Sequence, residues 1–404
     1  MSTTAHVSGV SNPRMQKVVW FIAIVSLATG GLAAILMTEV GQMLNLPRGW
    51  VFITFEFKRQ LSWVLFAVTA GLLLWQFRHR SVGAGWMASY VVAMLGLLFF
   101  INLFAPYIWL RAQQHDAEFV SVATADALLL PDEDVLVLEI NGDARAYPRD
   151  WIMVPHIAGD LVGGEEVVMT YCALSDLPQA FTTRPSGQPA DYRVIAQVNN
   201  NLIFSDTHSG ELYQQITGRG EYSGNQPRQY PVQRMPWHAF RSLYPQGKVF
   251  KPHTNILDGF TIALFENALE DHYAGDPLFP TISLQDSRLP AGEPVWGLIV
   301  NGEALAVPGQ KLGDTDRILR ARLGDRELLL AWFAEYQTLG AFYADRAGQS
   351  LDVGGIDPYG NTATGKLERV HLFPGVLWMV WSHWYPDTRL FNVPDAAAQG
   401  TVLP

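Results

Sequence analysis

One passage occurs twice in this chain of 404 residues, and the repeat restricts the fold more than any other feature. The stretch VLEINGDARAYP at 137–148 returns as GLIVNGEALAVP at 297–308. Each stretch is followed by a similar closing phrase: Trp237, Tyr244-Pro245 and Phe250 in one, Trp378, Tyr385-Pro386 and Phe391 in the other. The offset is 160 residues at the start and 141 at the end, so the second copy is shorter by 160 − 141 = 19. A duplicated unit separates scaffold from site. What both copies share is fold, and what one copy alone holds is where function can sit.

The chain is too long for one ordinary domain, and its apolar residues are unevenly spread. Residues 18–37 form an uncharged run of twenty, long enough to cross a bilayer core as a helix. Residues 61–77 and 83–105 make two further runs, and three transmembrane helices are expected within residues 1–110. Arg14, Lys17, Arg78 and Arg80 outweigh the partly neutralised loop that holds Arg48, Lys58 and Arg59, so the N-terminus is expected in the cytoplasm of a bacterial inner membrane. Three crossings leave residues 111–404 periplasmic or extracellular. Six tryptophans near the span ends (Trp20, Trp50, Trp63, Trp75, Trp86 and Trp109) suit interfacial anchors. The lipid bilayer is one expected partner, and a membrane protein bound through the spans is another.

Residues 1–110 carry seven Lys/Arg and two Asp/Glu, a net of +5, against −10 for the whole chain. The remainder therefore holds −10 − 5 = −15. So acidic a surface repels nucleic acid, and that class of partner is discounted. The single cysteine, Cys172, rules out an intramolecular disulfide.

The expected fold class is three N-terminal transmembrane α-helices followed by a mostly β (α+β) domain built from two degenerate tandem copies. A linker at 111–125 leads to a first copy at 126–250. A loop-rich connection spans 251–293, a second copy 294–391 and a tail 392–404. Asn141-Gly142 and Asn301-Gly302 suit type I′ turns, which predicts a hairpin at the start of each copy. Buried strands are expected at 166–171 and 327–332, shorter strands at 192–198, 202–205 and 376–381, and closing helices at 237–244 and 379–385.

Chemistry-bearing residues concentrate in the first copy. Arg145 and Tyr147 lie in one phrase, His156 and Asp160 in the next, and Tyr171 and Cys172 in a third. Cys172 reads either as a small buried residue or as a thiolate, nucleophile or soft-metal ligand. His156 is a core histidine, a ligand or a base near Cys172. On a helix Asp160 would share the face of His156 at i+4 and orient it, which completes a hypothetical catalytic set of Cys172, His156 and Asp160. Arg145 is an ion pair or an anion clamp. Tyr147, Tyr171, Asp206 and Gln215 complete a candidate ligand-binding pocket. Met153 and Met169, with His156 and Cys172, suggest copper as the soft metal, although core filling explains the methionines as well. The stretch 308–342 of the second copy has neither histidine nor cysteine.

These phrases together resemble the bacterial domain-of-unknown-function family 3179 (DUF3179). That family reads R-A-Y-P, then H-E-x-x-N-D, then Y-C-P-L-C, a strand ending in Asp, T-x-S-L-W-x-Q and a W…Y-P closing helix. Residues 145–148, then His156 and Asp160, then Tyr171, Cys172 and Leu174 match in order. Asp206, Leu212 and Gln215 follow, and the likeness runs from about 130 to 391. Ile157, Gly159, Ser175 and Tyr213 depart from the pattern. With Ser175 in place of a second cysteine, a dithiol or two-thiolate role is lost. The resemblance implies no activity. The sequence supports a membrane-anchored domain whose polar pocket binds a small ligand or a soft metal ion. Its rivals are a Cys-His nucleophilic enzyme of acyl transfer or hydrolysis, and a structural module assembling with a membrane partner.

Overall fold

The computed structural model describes residues 13–35, 47–78, 83–103, 109–279, 281–282, 286–346, 349–392 and 401–402. The chain divides into two compact units, Met1–Ile108 and Trp109–Pro404.

The first unit is helical: α1 at Pro13–Ile35, α2 at Arg48–Arg78 and α3 at Ala84–Leu103. Ala23, Leu73, Tyr90 and Met94 form its small core, and Ser26 and Tyr90 share a hydrogen bond of 2.8 Å. Among the described residues one segment, Glu56–Arg78, is long and apolar enough to cross a membrane. Trp20–Leu32 and Ala84–Phe99 are shorter apolar helices. The ends of the expected first and third runs, 36–37 and 104–105, fall outside the described residues. One expectation is corrected: Arg48, Glu56, Lys58 and Arg59 lie in helix α2, not in a loop. Pro47 precedes the helix, with its carbonyl accepting the Trp50 N–H at 2.8 Å, and no proline interrupts it before Arg78.

The second unit is mostly β. The predicted first hairpin is β2 (Asp134–Ile140) and β3 (Asp143–Pro148), joined by Asn141 at φ 52° and Gly142 at φ 83°. Both turn residues are left-handed, as a type I′ turn requires. The hairpin belongs to a five-stranded sheet that also contains β1 (Glu118–Ser121), β12 (Val232–Pro236) and β13 (Lys248–Lys251). Its order is β1-β13-β3-β2-β12, and β13 runs parallel to β3. A second sheet has the order β11-β6-β5-β4, from β4 (Ile157–Val162), β5 (Glu165–Cys172), β6 (Leu177–Thr182) and β11 (Gln229–Tyr230). A third pairs β7 (Tyr192–Val198) with β8 (Asn201–Asp206), β9 (Leu212–Gln214) and β10 (Arg219–Gly220). The three sheets enclose a core that includes Leu136, Tyr147, Ile157, Tyr171, Phe181 and Phe204.

Further along, β14 (Pro294–Val300) and β15 (Glu303–Pro308) form the other predicted hairpin, with Asn301 at φ 50° and Gly302 at φ 83°. They join β19 (Leu372–Leu377) and β20 (Arg389–Leu390) in the order β19-β14-β15-β20, and β20 runs parallel to β15. Beside this sheet, β16 (Arg317–Leu323), β17 (Arg326–Phe333) and β18 (Thr338–Tyr343) are antiparallel.

Short helices follow the strands: α4 (Val122–Ala125), α5 (Arg149–Ile152), α6 (Trp237–Leu243), α7 (Ile256–Tyr273) and α8 (Trp378–Trp384). Three expectations change here. The linker at 111–125 contains β1 and α4, because Glu118 pairs with Lys251 and fixes that edge in the sheet. The connection at 251–293 contains the 18-residue α7. Its apolar residues crowd into the run 259–265 and three of its four acids follow that run, so no stripe of period 3.6 forms. The strand expected at 376–381 ends at Leu377, and Trp378 starts α8. Leu177 and Ile216 pack with Val295, Phe373, Trp378 and Trp381, so one apolar cluster joins the two hairpin-led halves.

Candidate functional site

The site is built around the four-residue turn that links β5 to β6. Strand β5 is buried from Val167 to Cys172, and Cys172 pairs with Leu177 across the turn. Each turn residue is held by a different group. The Ala173 carbonyl accepts the Tyr273 hydroxyl at 2.9 Å. The Leu174 carbonyl meets His272 Nε2 at 2.6 Å. The Ser175 carbonyl accepts the Leu377 N–H at 3.1 Å. Asp176, left-handed at φ 51°, turns its carboxylate inward. Oδ1 accepts Arg149 Nε–H at 2.8 Å and the Tyr171 hydroxyl at 2.6 Å, while Oδ2 accepts an Arg234 N–H at 2.9 Å. Arg234 also donates from Nε to Asp134 at 2.6 Å. Arg149 lies over the Tyr273 ring, 4.6 Å from its centroid.

Electrostatics follow from burial. Burial pushes the Asp176 carboxyl up, yet Arg234 and Arg149 overcome it and hold the group below the ordinary carboxylate range. Burial raises the Tyr171 phenol well above its usual value, and Asp176 adds to the rise. Tyr273 is pushed up to about 12, first by burial and then by Asp176. The side chains of Arg149 and Arg234 keep 18% and 17% exposure against 8% for Asp176, and the second terminal nitrogen of Arg234 also pairs with Asp134.

The residues singled out from sequence fall into separate environments. Arg145, 3% exposed, donates to Asp160 from Nε and to Asp143 from a terminal nitrogen; it also reaches the Leu161 carbonyl at 3.2 Å. It is an internal ion pair. Asp160 lies in strand β4, so it shares no helical face with His156; its carboxylate serves Arg145. His156 sits left-handed at φ 70° before β4, with its carbonyl accepting the Tyr171 N–H at 2.8 Å. Its ring lies edge-on to Tyr171 with centroids 6.4 Å apart, and Nδ1 is buried without a hydrogen-bond partner. Burial lowers its pKa to about 4, which leaves it neutral at pH 7.

Cys172 is fully buried, and its Sγ lies 3.8 Å from the Asn200 carbonyl as a weak donor. The alternation of β5 sends the Tyr171 and Cys172 side chains to opposite faces. Tyr147 is fully buried against Phe119 and Phe250, and its hydroxyl has no partner. Asp206 closes a turn by accepting the N–H groups of Asp191, His208 and Ser209. Gln215 bonds Asn201, Thr170 and the Leu177 carbonyl. Met169 is core, and Met153 packs on the same cluster. Among the described residues no three His, Cys, Asp or Glu side chains gather as a metal ion requires, so the copper suggestion finds no support.

Sequence reasoning named Tyr171 but passed over Arg149, Asp176, Arg234, His272 and Tyr273. Asp176 and Arg149 adjoin phrases already singled out, so their proximity was the available signal. Arg234 and Tyr273 lie in segments that carry none. A family model described as "Protein of unknown function (DUF3179)" matches residues 112–388. No curated protein matches the chain, and no solved structure does.

Proposed function

The chain belongs to the DUF3179 family, and on that premise we propose that it is a membrane-anchored binding module whose recognition centre is the Asp176 cluster. The ligand is small and anionic. Its attachment point is the partly exposed Arg149, which Asp176 and the Tyr273 ring hold in place beside Arg234. Glu56–Arg78 supplies the anchor, with α1 and α3 as further spans, a cytoplasmic N-terminus and the β unit facing outward.

The observation that carries this reading is a comparison of strand-end positions. The strand orders β13-β3-β2-β12 and β20-β15-β14-β19 correspond, each with one parallel pair in the same place. We take the two halves as degenerate copies of one unit. After Pro148 comes Arg149, whereas after Pro308 comes Gly309. The residue before β6 is Asp176 at φ 51°, and the one before β18 is Gln337 at φ 44°. Two residues before the end of β12 is Arg234, and two before the end of β19 is Gly375. Backbone geometry recurs while all three charges are confined to the first copy, as expected where one copy holds a site and the other buttresses it.

The thiol-enzyme alternative has less support. Its nucleophile is fully buried, and its orienting carboxylate is spent on Arg145. The test is thermal unfolding of the full chain in detergent micelles against acetate, succinate and inorganic phosphate. A bound anion at a hundred times its Kd stabilises by about 2.7 kcal/mol. Arg149→Gln should abolish the shift. If none of the three anions raises the melting temperature of the wild type, the reading fails.

A further inference from the structure

Helix α7 is held to the β unit at its C-terminal end. Leu269 and His272 are buried in its C-terminal half, where His272 and Tyr273 grip the β5–β6 turn. Its N-terminal half leaves large apolar side chains in the open: Ile256 is 92% exposed, Phe260 57% and Ile262 36%. No charged residue occurs from Gly259 to Phe265, and Glu266, Glu270 and Asp271 all lie in the other half. Ile256 and Phe260 stand one turn apart on one side of the helix. The Trp109 ring packs on Phe260, with centroids 6.2 Å apart. Trp109 opens the β unit, and 109 − 103 = 6 residue steps separate it from Leu103, the last residue of α3.

We propose that the N-terminal half of α7, together with Trp109, lies in the headgroup–acyl boundary of the lipid bilayer. The inference rests on the membrane-anchored reading above. Chain connectivity is the argument for lipid as the occupant. Six residues reach at most about 20 Å, which allows a tryptophan following an anchor by that interval to enter the headgroup layer, with Phe260 packed on it. An aromatic-bearing helix half whose one charged residue, Asp258, is buried, joined to an acidic half, suits a surface that accepts one end and excludes the other. The nearby acids make the contact independent of anionic lipid. The docked end also ties the grip of α7 on the Asp176 turn to the membrane surface.

The experiment uses the full chain reconstituted in phosphatidylcholine vesicles, with a nitroxide label on Ile256→Cys, Phe260→Cys or, as an aqueous control, Thr364→Cys on an exposed loop. Unmodified protein serves as the labelling blank for buried Cys172. Vesicle flotation is measured first, then relaxation by oxygen, which enters lipid, and by a water-soluble nickel chelate. Labels at 256 and 260 should show an oxygen-to-nickel ratio severalfold above the control, unchanged when phosphatidylglycerol is added. Protein that does not float refutes the anchoring itself. Floating protein with control-like labels overturns the α7 proposal alone. Labels shielded from both reagents show that protein, a second copy or another chain, covers the helix, and this also overturns it.

Discussion

Replacing Asp176 by Asn should be among the most damaging single changes in the β unit. The substitution keeps shape and removes one charge, leaving Arg149 and Arg234 directed at a neutral amide, with Asp134 the remaining close carboxylate of Arg234. The Tyr171 hydroxyl loses its charged acceptor as well. Breaking a buried pair on one side costs about 3–5 kcal/mol. For a domain of this size that corresponds to about 6–20 °C of melting temperature. The matched control is Glu166→Gln. Glu166 pairs with Arg184 at 2.8 Å, but the two side chains are 50% and 48% exposed and solvent screens the pair, so its loss should leave the melting temperature nearly unchanged. Scanning fluorimetry of both variants in one detergent gives the comparison. The pH dependence adds a signature. The folded carboxyl of Asp176 titrates below its ordinary 3.8, so its contribution is present above that value and lost as pH falls through the lower folded pKa. Asp176→Asn should lack that acid-side loss. If the two variants melt within a degree or two of each other at pH 7, the cluster is not a strongly coupled buried hub, and the reasoning is wrong.

Other outcomes are open to direct measurement. His156 has a folded pKa of about 4 against 6.5 in a free chain, so the unfolded state takes up its proton first. Stability from this group should be full above pH 6.5 and fall by about 3 kcal/mol on acidification to pH 4, a slope that His156→Gln removes. A Cβ at Gly375, left-handed at φ 79°, would lie 2.1 Å from an Arg234 terminal nitrogen, so Gly375→Ala should cost about 2–4 kcal/mol. Adding Arg234→Ala relieves that clash, and unfolding of the double variant should cost less than the sum of the two singles. Cys172, fully buried, should react with a chromogenic disulfide reagent only at the rate of unfolding; prompt reaction in the folded chain contradicts the burial.

Local features were legible from sequence because their causes are local. Asn-Gly at 141–142 and 301–302 encodes a turn whose left-handed residues set the hairpin register, and the structure has both. The buried strands at 165–172 and 326–333 follow from short apolar runs between turns, Val-Val-Met-Thr-Tyr in one and Leu-Leu-Leu-Ala-Trp-Phe in the other. Helix α7 was missed because only half of it packs, so its apolar residues do not repeat at helical spacing. Asp160 was misjudged because a spacing of four marks one face only on a helix, and the backbone there is strand.

From sequence alone came the family, the mainly β character of residues 109–404, the hairpins that open each half and the neighbourhood in which polar chemistry concentrates. The partners of those polar groups were decided only in three dimensions. Arg149 reaches Asp176 across 27 positions and Arg234 reaches it across 58, while Arg145, the more conspicuous arginine, is consumed by Asp143 and Asp160. Charge pairing depends on which side chains the packed sheets bring within about 3 Å in a poorly solvated interior. That distance is set by tertiary closure, not by spacing along the chain.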